Sequence, residues 1–132
     1  MSKSANVQTV RNLFAAFYAG DDTAMSELIG DDFVTHGPGG TTGNAAGWKA
    51  MSRRIADAVP DIRTEIDDII GDGDTVAVRY TSTGTHTGEL FGVVPTNRGL
   101  TTTGIEMYRL ADGRIVECWG EYDMRELFRS ET

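Results

Sequence analysis

An α+β fold is the class this sequence predicts, on three observations. Apolar residues recur at helical spacing through the first half. They alternate at strand spacing through the second half, and Asp-Gly pairs at 72–73 and 112–113 stand between strand segments as hairpin turns.

The elements follow in order. From Asn6 to Tyr18, the residues Val7, Val10, Phe14, Phe17 and Tyr18 fall on one helical face. Gly20 stops that helix, and Asp21-Asp22 caps a second one holding Met25, Leu28 and Ile29. Phe33 to His36 is a short extended piece, and the glycine-rich stretch from Gly37 to Gly43 is a loop. A third helix runs from about Asn44 to Ala58, with Trp48, Met51, Ile55 and Val59 on one face, and Pro60 ends it. Strands follow over Ile62–Ile70, Thr75–His86, Leu100–Leu110 and Arg114–Tyr122, with a loop from Thr87 to Gly99. Three helices and then an antiparallel meander make an α+β domain, and a sheet curved around helices leaves a cavity for a small ligand.

Composition narrows the function. The 132 residues are 39% hydrophobic and 24% charged, ordinary for one globular domain spanning 1–132. The net charge of −8, with no basic run, argues against nucleic acid as a partner. No stretch approaches the roughly 20 apolar residues of a membrane span. Met1 to Val10 lacks the layout of a secretory signal, and the single cysteine, Cys118, has no internal disulfide partner. The expectation is a cytoplasmic protein with no membrane partner.

Strand parity selects the chemistry. Glu106, Tyr108 and Leu110 share one face of their strand, and Val116, Cys118, Gly120 and Tyr122 share one of the next. If both faces meet the helices, Glu106 is a lone carboxyl on an apolar, aromatic wall, where burial raises its pKa toward the range of proton transfer. The alternative is an ion pair with Arg79, Arg109 or Arg114. His36, where the extended piece breaks into the glycine loop, is either an acid–base partner or a loop histidine bonded to backbone. His86 reads as a turn or surface residue, Cys118 as packing, and Asp123 as a cap for a final helix. Phe14, Phe17, Trp48, Phe91 and Trp119 are pocket walls or plain core. No phosphate loop, dinucleotide fingerprint, nucleophile elbow or metal signature is present, so neither cofactor nor metal is expected.

Four segments in order carry a resemblance. They are Phe33-Val34-Thr35-His36-Gly37-Pro38, Ala58-Val59-Pro60-Asp61-Ile62, the stretch from Gly84 to Thr96, and the stretch from Gly104 to Trp119. With them the chain resembles the SnoaL-like polyketide cyclases of the ketosteroid isomerase and nuclear transport factor superfamily. The resemblance implies a cone-shaped α+β barrel, with N-terminal helices packed in a strongly curved, mostly antiparallel sheet. It implies cofactor-independent acid–base chemistry closing an aromatic polyketide ring by aldol condensation. Glu106 falls where ketosteroid isomerase keeps a protonated aspartic acid, and His36 falls at or beside that enzyme's base.

The chain also departs from its relatives. Many carry His and Asp where this one has Cys118 and Gly120. Leu13 stands near the place of the isomerase tyrosine, against steroid isomerisation, and Gly104 replaces the arginine of limonene epoxide hydrolases. Glu106 and His36 are therefore the expected catalytic residues. Phe14, Phe17, Trp48, Phe91, Tyr108, Cys118, Trp119, Gly120 and Tyr122 are the expected substrate contacts. The expected function is cyclase-type chemistry on an aromatic polyketide or similar carbonyl-rich molecule. Cofactor-independent hydroxylation of an anthracycline-type polyketide and non-catalytic binding are the alternatives. A homo-oligomer, most simply a dimer, would cover the outer face of the curved sheet.

Overall fold

The computed structural model describes residues 3–128. The chain opens with α1 (Lys3–Ala19) and α2 (Asp22–Leu28), followed by β1 (Ile29–His36), a 3-10 turn at Pro38–Gly40 and the short β2 (Thr42–Asn44). Next come α3 (Ala45–Ala58), β3 (Arg63–Asp72), β4 (Thr75–Thr85), β5 (Gly99–Ala111), β6 (Arg114–Asp123) and α4 (Arg125–Phe128). The six strands form one sheet in the order β2-β1-β6-β5-β4-β3. α1 packs against β3, β4 and β6 at once, so the sheet curls around it. No described helix is long and apolar enough to cross a membrane.

Local chemistry sets the element ends. Asp21 caps α2 by accepting from the Ala24 amide at 3.1 Å, and Asn44 caps α3 by accepting from Gly47 at 3.0 Å. Asp123 accepts from the Arg125 amide at 3.0 Å, the capping bond expected of it. Two cores result. The larger joins Val10, Leu13 and Phe14 of α1 to Val76, Val78, Tyr80, Tyr108 and Ile115 of the sheet. The smaller joins Ala58 and Val59 at the end of α3 to Leu90, Leu100 and Leu127.

Three expectations are corrected. Ile29 does not belong to the second helix: α2 ends at Leu28, and Ile29 opens β1. The glycine-rich stretch is not all loop, because β2 forms within it against β1. β3, β4, β5 and β6 do form the expected antiparallel meander, and β1 joins it parallel to β6. On β6 the inward residue near the hairpin is Ile115 and not Val116, because a bulge between Arg109 and Leu110 shifts the register. His86 also differs from expectation: it is fully buried, its ring Nδ1 lies 3.2 Å from Thr96 Oγ1, and its backbone pairs with Asn97 and Arg98.

Candidate active site

Glu106 lies on the inner face of β5, between Val78 of β4 and Gly120 of β6 in the ladder. Because Gly120 has no side chain, the carboxyl occupies the space there: a β-carbon on Gly120 would stand 3.3 Å from Glu106 Oε2. An aspartate at 120 would compete with Glu106 for that space. Tyr80 donates its hydroxyl to Oε2 at 3.2 Å, and Tyr108 donates to Oε1. The alternative of an arginine partner is not realised. Arg79 lies 3.7 and 3.8 Å from Asp67 and Asp68, Arg109 pairs with Glu117 at 2.7 Å, and Arg114 is exposed.

The electrostatics follow from this placement. Burial pushes the Glu106 carboxyl above its ordinary pKa, and the hydrogen bonds from Tyr108 and Tyr80 offset part of that rise. Burial, together with the charge of Glu106, raises Tyr108, Tyr80 and Tyr18 well above the ordinary tyrosine value, so these hydroxyls stay protonated as donors. The Cys118 thiol is pushed up to about 12, first by burial and then by Glu106 and Glu117, which leaves it inert.

Glu106 separates two spaces. The main cavity, about 710 Å³ including its open mouth, runs from Glu106, Tyr18 and Tyr80 to an apolar end at Ile55, Leu90 and Leu100. A smaller space of about 260 Å³ lies between Glu106, Phe14, Phe17, Trp48 and Tyr108. Of the residues expected from sequence, Phe17, Phe91 and Tyr122 line the main cavity with Glu106, while Phe14, Trp48 and Tyr108 line the smaller one. Cys118 is buried in the larger core.

His36 and Trp119 stand elsewhere, which corrects the expected partnership of His36 with Glu106. Glu117 and Trp119 alternate with the inward Cys118 and Gly120, so they face out, and His36 sits opposite Trp119 in the parallel ladder. The His36 Nε2 is 2.6 Å from Glu117 Oε2, and its ring stacks on Trp119 with centroids 5.3 Å apart and planes at 13°. Hydrogen bonds from Arg109 and His36 hold Glu117 below its ordinary pKa. Val34, Ile105, Met107 and Trp119 are exposed on this outer face, the surface a second copy was expected to cover.

Several residues not expected from sequence also line the main cavity, among them Tyr18, Tyr80, Ser82 and Thr102. Their signal was present. Val76, Val78, Tyr80 and Ser82 share one parity on β4, and Thr102 shares the parity of Glu106 on β5. Among the described residues, no group of three or more His, Cys, Asp or Glu side chains is placed to hold a metal.

An α+β cone with a single carboxyl inside an apolar cavity defines a small-molecule-binding class of fold. Within that class the chain belongs to the SnoaL-like polyketide cyclase family, whose sequence model matches residues 7–130. Among solved structures it is similar to AclR of Streptomyces galilaeus, named as a candidate hydroxylase, at 27% identity and TM-score 0.88, covering 99% of this chain and 89% of that one. It is also similar to IdmH of Streptomyces antibioticus, named as a candidate polyketide cyclase, at 36% identity and TM-score 0.81, covering 93% of this chain and 97% of that one. A SnoaL-like protein of Jannaschia sp. CCS1 shares the fold at 21% identity and TM-score 0.85, over 96% of this chain and 90% of that one. No curated protein matches by sequence.

Proposed function

We propose that this protein is a polyketide-tailoring enzyme that performs acid–base chemistry on an aromatic polyketide, or a similar carbonyl-rich molecule, with Glu106 as its catalytic residue. One observation carries the reading: a half-buried carboxyl, desolvated by its apolar wall so that its pKa is raised, held by two tyrosine hydroxyls at the polar end of an apolar cavity. Kinship with the SnoaL-like cyclases supports it.

A single carboxyl closes the proton cycle of an aldol condensation. As carboxylate it takes the proton beside a substrate carbonyl, leaving an enolate and a carboxylic acid. The enolate carbon attacks a second carbonyl, the new carbon–carbon bond leaves an alkoxide, and the acid returns the proton to that oxygen. Desolvation helps, because a raised pKa makes the carboxylate a stronger base for the first half of the cycle. Tyr80 and Tyr108 fix the carboxyl in place throughout.

Similarity to AclR, with its hydroxylase name, favours a second reading. There Glu106 deprotonates a hydroquinone-type substrate whose anion reduces dioxygen: one oxygen atom enters the ring as hydroxyl, the other leaves as water, and the hydroquinone is oxidised to the quinone. The two readings part on oxygen. Incubation with an uncyclised polyketide ester under argon should give ring closure that Glu106→Gln abolishes. Oxygen incorporation into a reduced tricyclic quinone in air, with no ring closure of the ester, would reject the cyclase reading.

A further inference from the structure

Two tight turns of this chain share one backbone shape. At Asp112-Gly113, between β5 and β6, φ is +52° and +78°, and at Phe91-Gly92, in the loop before β5, it is +50° and +81°. Positive φ at both central residues marks a type I′ turn, which favours Asn, Asp or Gly at the first of them. Asp112 obeys that preference. Asn97, the remaining non-glycine with positive φ among the described residues, is also a type that tolerates it. Phe91 is not. A bulky side chain in the left-handed region is strained, and such strain persists only where the surroundings impose it.

The surroundings do impose it. Leu90 and Val93 exchange both backbone hydrogen bonds, at 3.1 and 2.9 Å, and Glu89 Oε1 accepts from the Gly92 amide at 2.6 Å. Leu90 is buried in the smaller core, which fixes the turn from within. Glu89 and Gly92 are exposed, so the turn lies at the surface, yet Phe91 is half-buried and lines the main cavity. Its side chain therefore forms the rim of the cavity at the end remote from Glu106.

The structure assigns Phe91 the role of a specificity-determining residue: its ring closes the apolar end of the cavity over a bound ligand. Asparagine would suit the backbone better, so what keeps phenylalanine at this position is the face it turns to the ligand. The part of the ligand it covers is apolar, because its neighbours on that wall, Ile55, Leu90, Leu100 and Met124, offer no side-chain hydrogen bond. The inference takes the main cavity as the ligand site but needs no proton transfer at Glu106, so a binding assay tests it apart from the reading above.

The test sets stability against binding in one variant. Phe91→Asn relieves the backbone and removes the ring. On the full chain without ligand, relief of strain should offset the lost packing, and the melting temperature by circular dichroism should stay within about 3 °C of the wild type or rise. Affinity for N-phenyl-1-naphthylamine, a neutral apolar fluorophore, should fall about tenfold in fluorescence titration, the scale of a lost aromatic contact. Phe91→Tyr keeps the ring and should bind within about twofold of the wild type. A larger fall in melting temperature for Phe91→Asn, or failure to fold, makes the ring part of the core and overturns the proposal. Unchanged affinity in Phe91→Asn overturns it too, as does an equal loss in Phe91→Tyr or a wild type that does not bind the probe.

Discussion

Replacing Gly104 with alanine should displace Tyr80 and, with it, one of the two donors on Glu106. A β-carbon on Gly104 would stand 2.5 Å from both Cζ and Oη of Tyr80, and 2.7 Å from Cε1. Carbon atoms in contact rest at about 3.5–4.0 Å, so the ring must retreat by about 1 Å or more. Little room lies behind it. Tyr80 is buried, with the Phe14 ring 5.2 Å away edge-on and the Tyr18 ring at 6.4 Å. The Tyr80 hydroxyl starts 3.2 Å from Glu106 Oε2, and a retreat of that size takes it out of hydrogen-bond reach. Overpacking of this kind costs about 1–3 kcal/mol, which lowers the Tm of a chain this long by about 3–12 °C. Urea denaturation measures the cost, and a Tyr80→Ala background tells where it arises. Without the ring, Gly104→Ala should add almost no destabilisation. An unchanged stability in the wild-type background, or the same loss with and without Tyr80, would refute the reasoning.

Other outcomes follow from the same geometry. Tyr108→Phe removes a donor that favours the carboxylate, so the Glu106 pKa should rise further and the acidic limb of the pH–rate profile, where the rate climbs as the base loses its proton, should move to higher pH; a move to lower pH contradicts the assignment. The folded-state pKa of Glu106 lies above its unfolded value, so the folded protein keeps this proton to higher pH than the unfolded chain. The stability tied to this group is full below the ordinary carboxylate range and falls as pH rises from about 4 through the folded pKa, a fall Glu106→Gln should lack when urea midpoints are compared across pH. His36→Ala cuts the outer-face contacts with Glu117 and Trp119 and should leave turnover within about twofold; a loss on the order of the 10²-fold typical of an acid–base residue would return His36 to the mechanism.

Local rules made much of this protein legible in its sequence. Helical spacing predicts α1 and α3, and the Asp-Gly turns locate both hairpins. Parity alone puts Glu106, Tyr108, Cys118 and Gly120 on one inner face. Long-range pairing is where the sequence falls silent. Nothing near His36 records that β1 will lie parallel to β6, yet that pairing sends His36 outward to Glu117. Alternation alone turns Val116 inward, because the bulge where the register shifts opposite Arg109–Leu110 leaves no mark in the pattern. Tyr18 and Tyr80 come from α1 and β4, and they meet at Glu106 only once the sheet has curled around the helix. His86 is buried because its backbone is tied to Asn97 and Arg98 across the loop, a contact no local pattern encodes.

The proposed role of Glu106 is to move a proton at carbon, and hydrogen–deuterium exchange reads that step directly. In D2O under argon, an uncyclised polyketide ester with the wild-type protein should exchange the hydrogens beside its carbonyl, followed by NMR. Glu106→Gln keeps the shape and removes the base, so exchange should slow on the order of 10²-fold or more. Exchange at the wild-type rate in Glu106→Gln would contradict the central claim.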